Sequence, residues 1–178
     1  MVYLVCRFPT CADVTQVTGI DIFIRHKPGL LDVYPGRWNL NAPLKDAPDE
    51  YWLDNNRFHL INSRFLVDGI NKERWKPLIE EYRERLKHQG WLQMAEVQWI
   101  FYSRSNHALP ALTQWSDAFY EALRRMDKMP DIACELEKFV RFNGGFQRVV
   151  STTHDVPIGQ WRQGMSNHFF SRLIARCG

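Results

Sequence analysis

Between two short apolar runs of strand character, residues 58–62 (FHLIN) and 91–97 (WLQMAEV), the chain carries one continuous helical stripe. Trp75, Leu78, Ile79, Tyr82 and Leu86 fall at i, i+3, i+4, i+7 and i+11, a spacing that keeps every apolar side chain on one helix face. Glu80 and Arg83, Glu81 and Arg85, and Glu84 and Lys87 stand at helical spacings and support the element weakly. The charged run over residues 72–87 therefore reads as a solvated helix face. Pro77 is tolerable close to the helix start, and Gly90 is expected to close the element before the second strand. Strand, helix, strand in this order constrains the chain to a layered α/β arrangement.

The flanking segments extend that pattern. Residues 14–23 (VTQVTGIDIF) are rich in β-branched side chains and read as a buried strand with Asp21 near its carboxyl end. Residues 26–57 hold prolines, glycines, aspartates and asparagines, which predicts a long connection with one short strand near residues 37–40. Helical spacing returns at Leu112, Trp115, Phe119, Leu123 and Met126, and again at Ile132, Leu136, Phe139 and Val140. The second of these is expected to stop at Gly144-Gly145, where glycine tolerates the left-handed conformation. A strand follows at residues 146–150, and Ser166 is expected to cap a last helix carrying Phe169, Phe170, Leu173 and Ile174. With 178 residues there is room for one domain. Ligands of such folds gather at the carboxyl ends of the strands, which selects Asp21, Ile22, Asn41, Ala42 and residues 62–64 and 96–99.

Several functions are set aside by what the chain contains. A formal charge of +3 without a clustered basic face is too mild for nucleic acid or an anionic membrane surface. At 45% apolar and 24% charged residues the chain is globular rather than disordered. No run approaches the roughly 18 apolar residues of a membrane span, and no basic residue precedes the short apolar opening, as a secretory signal requires. Cys6, Cys11, Cys134 and Cys177 do not make a dense framework, so reduced thiols in a cytoplasmic or nuclear protein are expected. The histidines never pair with one another or with cysteine at ligand spacing, so no metal site is expected. His59 reads as a core imidazole, and the neighbours His154 and Asp155 point to opposite faces of a strand. Neither a Walker-type loop, nor G-x-G-x-x-G, nor a G-x-S-x-G elbow occurs.

Two features point toward a ligand. An acid closing an apolar strand, as Asp21 does, can accept both hydroxyls of a nucleoside ribose; it can equally cap the strand end or the following turn, and both readings stand. Aromatic residues crowd the middle of the chain. Packing accounts for most of them, and Trp99, Trp115 and Tyr120 are the candidates to line a pocket for a flat or greasy ligand.

Three stretches in order resemble a known family. Val17-Thr18-Gly19-Ile20-Asp21-Ile22 resembles the second strand of class I S-adenosylmethionine-dependent methyltransferases. Residues 55–64 (NNRFHLINSR) resemble their fourth strand, and residues 86–96 (LKHQGWLQMAE) resemble the turn into their fifth. With Leu109-Pro110-Ala111-Leu112 and Pro157-Ile158-Gly159, the set is most similar to LaeA-type, fungal secondary-metabolism methyltransferase-like proteins.

The resemblance implies that Asp21 holds the ribose of S-adenosyl-L-methionine and that Ile22 packs on its adenine. It places Asn41 or Ala42 at the adenine border, and turns Asn62, Ser63 and Arg64 toward cofactor and substrate. The sequence departs from the family where an amide, Asn41, replaces an acid, where His59 replaces the fourth-strand aspartate, and where residues 87–90 lack the proline and one glycine of the turn. The first strand with its glycine-rich loop and the last strand are expected to be missing. Residues 1–178 thus read as a single, incomplete Rossmann-like α/β domain, a mostly parallel sheet flanked by helices. Three functions follow: a methyltransferase acting on a small molecule or a protein, a non-catalytic regulatory module derived from that fold, or a cofactor-independent cyclase using the aromatic pocket. Uncovered sheet edges in such a domain imply a homodimer or a heteromeric partner.

Overall fold

The computed structural model describes residues 2–7, 15–23, 33–49, 53–103, 107–155 and 169–177. Its strands are β1 (Val2–Arg7), β2 (Thr15–Asp21), β3 (Val33–Arg37), β4 (Phe58–Arg64), β5 (Leu86–Gln98), β6 (Phe146–Asp155) and β7 (Phe169–Cys177). They form one sheet in the order β3-β2-β1-β4-β5-β7-β6. The helices are α1 (Trp75–Arg85), α2 (Pro110–Arg125) and α3 (Ile132–Asn143). Among the described residues no helix is long and apolar enough to cross a membrane.

The sheet is mixed. β2 and β3 pair in parallel, as do β4 and β5, while β1 runs against β2 and β4, and β7 against β5 and β6. All strands except β1 and β7 therefore point one way.

Both ends of the chain differ from the sequence expectation. A strand does occupy the central position, but it is reversed: Val2 lies opposite Ile20 on one side and Ser63 on the other. The amino end of β1, rather than a loop leaving it, thus stands at the carboxyl ends of β2 and β4. At the other end, the expected helix over Phe169, Phe170, Leu173 and Ile174 is strand β7. Leu173, Ala175 and Cys177 are buried while Ile174 and Arg176 are half-buried, the alternation of a strand. Pairing with residues 91–98 of β5 and with all of β6 outweighs local spacing that fits a helix equally well.

Gly90 also differs, since it lies inside β5. Helix α1 ends at Arg85, and the Leu86 N–H closes back on the Tyr82 and Arg83 carbonyls. Residues 87–90 then leave the ladder, for Phe58 pairs with Leu86 but Leu60 with Trp91. Within this bulge a Cβ on Gly90 would stand 2.8 Å from the Lys87 carbonyl oxygen, a separation only glycine accommodates. Helix α3 does end as expected, with Gly144 donating to the Val140 carbonyl and Gly145 at φ +61°.

Helices α1 and α3 share one core with the sheet. α1 buries Trp75, Leu78, Ile79 and Tyr82, α3 buries Ile132, Leu136 and Val140, and the strands supply Ile61, Leu92, Met94, Leu173 and Ala175. Each large side chain removed from water contributes roughly 1.5–3 kcal/mol before entropic costs. Helix α2 is peripheral, burying only Ser116, Tyr120 and Leu123. The charged run is not wholly solvated, for Arg85 is buried and Arg74 and Glu81 are half-buried.

Candidate functional site

Asp21 closes β2 and caps the turn that follows it. Its Oδ1 accepts the Phe23 N–H at 3.0 Å, capping the turn. It also stands at the rim of an apolar hollow of about 50 Å³ walled by Ile20, Ile22, Trp38, Leu40, Leu66 and Ile70. The strand period places Ile20 inward, and the Trp38 N–H, donating to the Asp21 carbonyl at 3.1 Å, brings the chain after β3 alongside. One wall residue carries an unmet demand: the Trp38 indole Nε1–H is buried without a hydrogen-bond partner.

Asn41 and Ala42 lie behind this wall. The Asn41 Nδ2 donates to the Gly69 carbonyl at 2.9 Å and its Oδ1 accepts the Asn71 N–H at 2.8 Å. Its amide therefore clamps the turn at residues 69–71. The Ala42 carbonyl accepts from Arg74 Nη2 at 3.0 Å, and the Leu40 carbonyl from Arg74 Nε at 2.8 Å. Arg74 is held in turn by Glu81, whose Oε2 also accepts the Leu44 N–H at 3.0 Å. Burial pulls the Glu81 carboxyl upward, but the Arg74 and Leu44 hydrogen bonds and the Arg74 charge outweigh it and hold the group below its ordinary range.

Asn62, Ser63 and Arg64 do not act as one group, because successive strand residues face opposite ways. Ser63 is buried beneath α1, where its Oγ accepts from the Tyr82 hydroxyl at 3.5 Å. Burial raises that phenol above its ordinary value. Asn62 and Arg64 come together on the other face, with Arg64 Nε donating to Asn62 Oδ1 at 2.9 Å.

Glu96, one of the positions selected at the end of β5, has a definite role. Its carboxyl is fully buried and both oxygens accept the Leu66 N–H at 2.9 Å, while Oε2 also accepts the Val67 N–H at 3.1 Å. Burial pushes its pKa up to about 8, against the pull of those amides. From the far side Lys128 Nζ donates to the Gly69 carbonyl at 2.9 Å and to Asn71 Oδ1 at 2.6 Å. The turn that supplies Leu66, Gly69 and Ile70 to the hollow is thus tied from three elements.

The aromatic candidates do come together, but on one another. Trp115 stacks on Phe119 with ring centroids 5.2 Å apart, and meets Trp99 at 5.9 Å and Phe101 at 5.7 Å edge-on. The Tyr120 hydroxyl accepts the Trp99 N–H at 3.0 Å, and burial pushes its pKa up to about 12. The rings fill the space between α2 and the chain after β5. His59 is half-buried, and Cys134 and Cys177 are not in disulfides. Among the described residues no group of three or more histidine, cysteine or acidic side chains is placed to hold a metal ion. Cys6 and Cys11, and the segment with Pro157, fall outside the side chains described.

No family model matches the chain. It is 24% identical over 118 residues to Methyltransferase pytC of Aspergillus terreus, a span of 65% of this chain and 36% of that protein. To the Secondary metabolism regulator laeA of Coprinopsis cinerea it is 28% identical over 160 residues, 85% of this chain and 37% of that protein. The chain spans about a third of the length of the curated relatives it matches. Among solved structures, a SAM-dependent methyltransferase from Methanosarcina mazei superposes with a TM-score of 0.54 at 13% identity, over 90% of this chain and 81% of that one. At that identity the likeness concerns the fold.

Proposed function

The chain belongs to the class I S-adenosylmethionine-dependent methyltransferase family, as a LaeA-like member, and from that premise we propose that the hollow beside Asp21 receives the nucleoside of the methyl donor. The observation that carries this is the place of the Asp21 carboxylate, at a strand's carboxyl end and on the rim of an apolar hollow. There it accepts the ribose hydroxyls, the recognition that an acid at this position performs in nucleotide-binding α/β folds. The hollow takes the edge of a flat ring, with Ile22 and Leu40 against it.

When bound, the donor supplies an electrophilic methyl group on a sulfonium. The chain's contribution is then to orient the ligand and exclude water. The methyl acceptor under this reading is a small metabolite or a protein.

A second reading is favoured by one observation, the reversed direction of β1. Val2, at the amino end of β1, lies opposite Ile20, next to Asp21. A non-catalytic regulatory module suits that geometry, with a partner pairing along an edge strand, β3 or β6. Calorimetric titration with S-adenosylmethionine and S-adenosylhomocysteine separates the two. Saturable binding that disappears in Asp21→Ala supports the donor site; no binding at millimolar ligand, with stable self-association in light scattering, supports the partner-binding module.

A further inference from the structure

The turn after β4 contains a conformation that its own sequence does not favour. Phe65 has φ +55°, the left-handed region that costs a bulky side chain dearly, yet residue 65 is not glycine, asparagine or aspartate. Phe65 is also 54% exposed, so burial of its ring is not what compels the backbone. Such a residue persists only where its surroundings over-determine it. What does so is next in the chain: the Phe65 N–H donates to the Ala95 carbonyl at 2.9 Å, and Glu96 then gathers the Leu66 and Val67 amides. The following residues close on themselves, with Gly69 and Ile70 both donating to the Leu66 carbonyl. Leu66 is therefore fixed at both its N–H and its C=O, and its side chain is part of the wall facing Ile20 and Trp38.

A carboxyl group without solvent exposure is an expensive way to satisfy two amides. A tight turn could meet the same need with solvent or with its own carbonyls. The arrangement makes sense if the turn must be held in one shape at the mouth of the sheet. We propose that Glu96 is a positioning residue of the ligand site: by locking the amides of Leu66 and Val67 it keeps Phe65 left-handed and sets Leu66 as a wall of the hollow beside Asp21. This rests on the donor-site reading above. Released from Glu96, residue 65 relaxes to a negative φ and carries Leu66 off the hollow.

The test is a set of S-adenosylhomocysteine titrations on the full chain, with denaturant unfolding of each variant. Glu96→Leu is expected to weaken binding about tenfold or more, and Glu96→Gln, which keeps a carbonyl oxygen for the Leu66 amide, to stay within about threefold of wild type. Phe65→Gly removes the strain that the carboxyl opposes, so Glu96→Leu added to it is expected to cost less than about threefold. If Glu96→Leu does not fold, recovery of folding and binding in the Glu96→Leu, Phe65→Gly double variant shows the same coupling, and a double variant that also fails to fold overturns the proposal. Wild-type affinity in a folded Glu96→Leu, or losses that multiply independently of residue 65, overturns the proposal. If wild type binds no S-adenosylhomocysteine while the two residues still couple in unfolding, the donor reading fails and Glu96 is left holding a turn for stability alone.

Discussion

Glu81 takes both terminal nitrogens of Arg74, at 2.9 and 2.7 Å, and so fastens helix α1 to the connection that follows β3. The remaining Arg74 bonds, to the Leu40 and Ala42 carbonyls, hold the chain on which Leu40 enters the hollow. A planar fork is required, since lysine offers a point charge and cannot reach four acceptors at once.

Arg74→Ala is therefore expected to destabilise the fold by roughly 2–4 kcal/mol, for it leaves two carbonyls without their donor and a half-buried carboxylate without its countercharge. Arg74→Lys recovers only part of this. Because Glu81 is held below its ordinary value of 4.5, the pair's contribution is present above that pH and fades as the pH falls through the lowered value. Denaturant unfolding of wild type and both variants at neutral and acid pH measures all of these, and wild-type stability in Arg74→Ala contradicts the account.

Glu96 predicts the opposite pH dependence. Its carboxyl titrates at about 8 in the folded chain against an ordinary 4.5, so the folded state binds the extra proton between those values. Its contribution is full below about pH 4.5, declines as the pH rises through this window and is gone above about pH 8. The loss is on the order of a few kcal/mol. Glu96→Gln cannot titrate and should remove that slope, which unfolding curves recorded at intervals across the window detect.

Trp38→Phe should leave both stability and ligand recognition nearly unchanged. It deletes the buried indole N–H that has no partner in the free chain, so the lost ring area is partly offset and stability should change by less than about 1 kcal/mol. S-adenosylhomocysteine affinity should stay within about threefold of wild type, since the buried N–H does not face the hollow. A larger loss of affinity in calorimetry at unchanged stability would contradict this.

The Trp115 cluster should behave as packing. Trp115 is 47% exposed and makes one stacked and two edge contacts, so Trp115→Ala is expected to cost about 1–2 kcal/mol and to leave S-adenosylhomocysteine binding unchanged. A loss of affinity without a loss of stability would instead make these rings part of the ligand's pocket.

What was legible in the sequence was local. The stripe from Trp75 to Tyr82 buries as its spacing predicts, and Asp21 could be singled out because an acid ending a β-branched run is conspicuous. β7 was misread because Phe169, Phe170, Leu173 and Ile174 satisfy a helical period, and only the distant partners in β5 and β6 settle the matter. The roles of Glu96 and Arg74 depend on backbone groups about thirty residues away, which no spacing rule reveals. Glu81 was hidden for a related reason: on paper it belongs to a run of surface charges, and its burial follows from the chain folding over it.

The donor site itself is tested most directly by comparing S-adenosylhomocysteine dissociation constants for wild type and Asp21→Asn. The substituted amide keeps an oxygen for the Phe23 N–H, so the turn and the fold should survive, while the charge that draws the ribose hydroxyls is removed. The account predicts saturable binding by wild type and a loss of about tenfold or more in the variant, at unchanged unfolding midpoint. Equal affinity in the two proteins, or no binding in either, would contradict it.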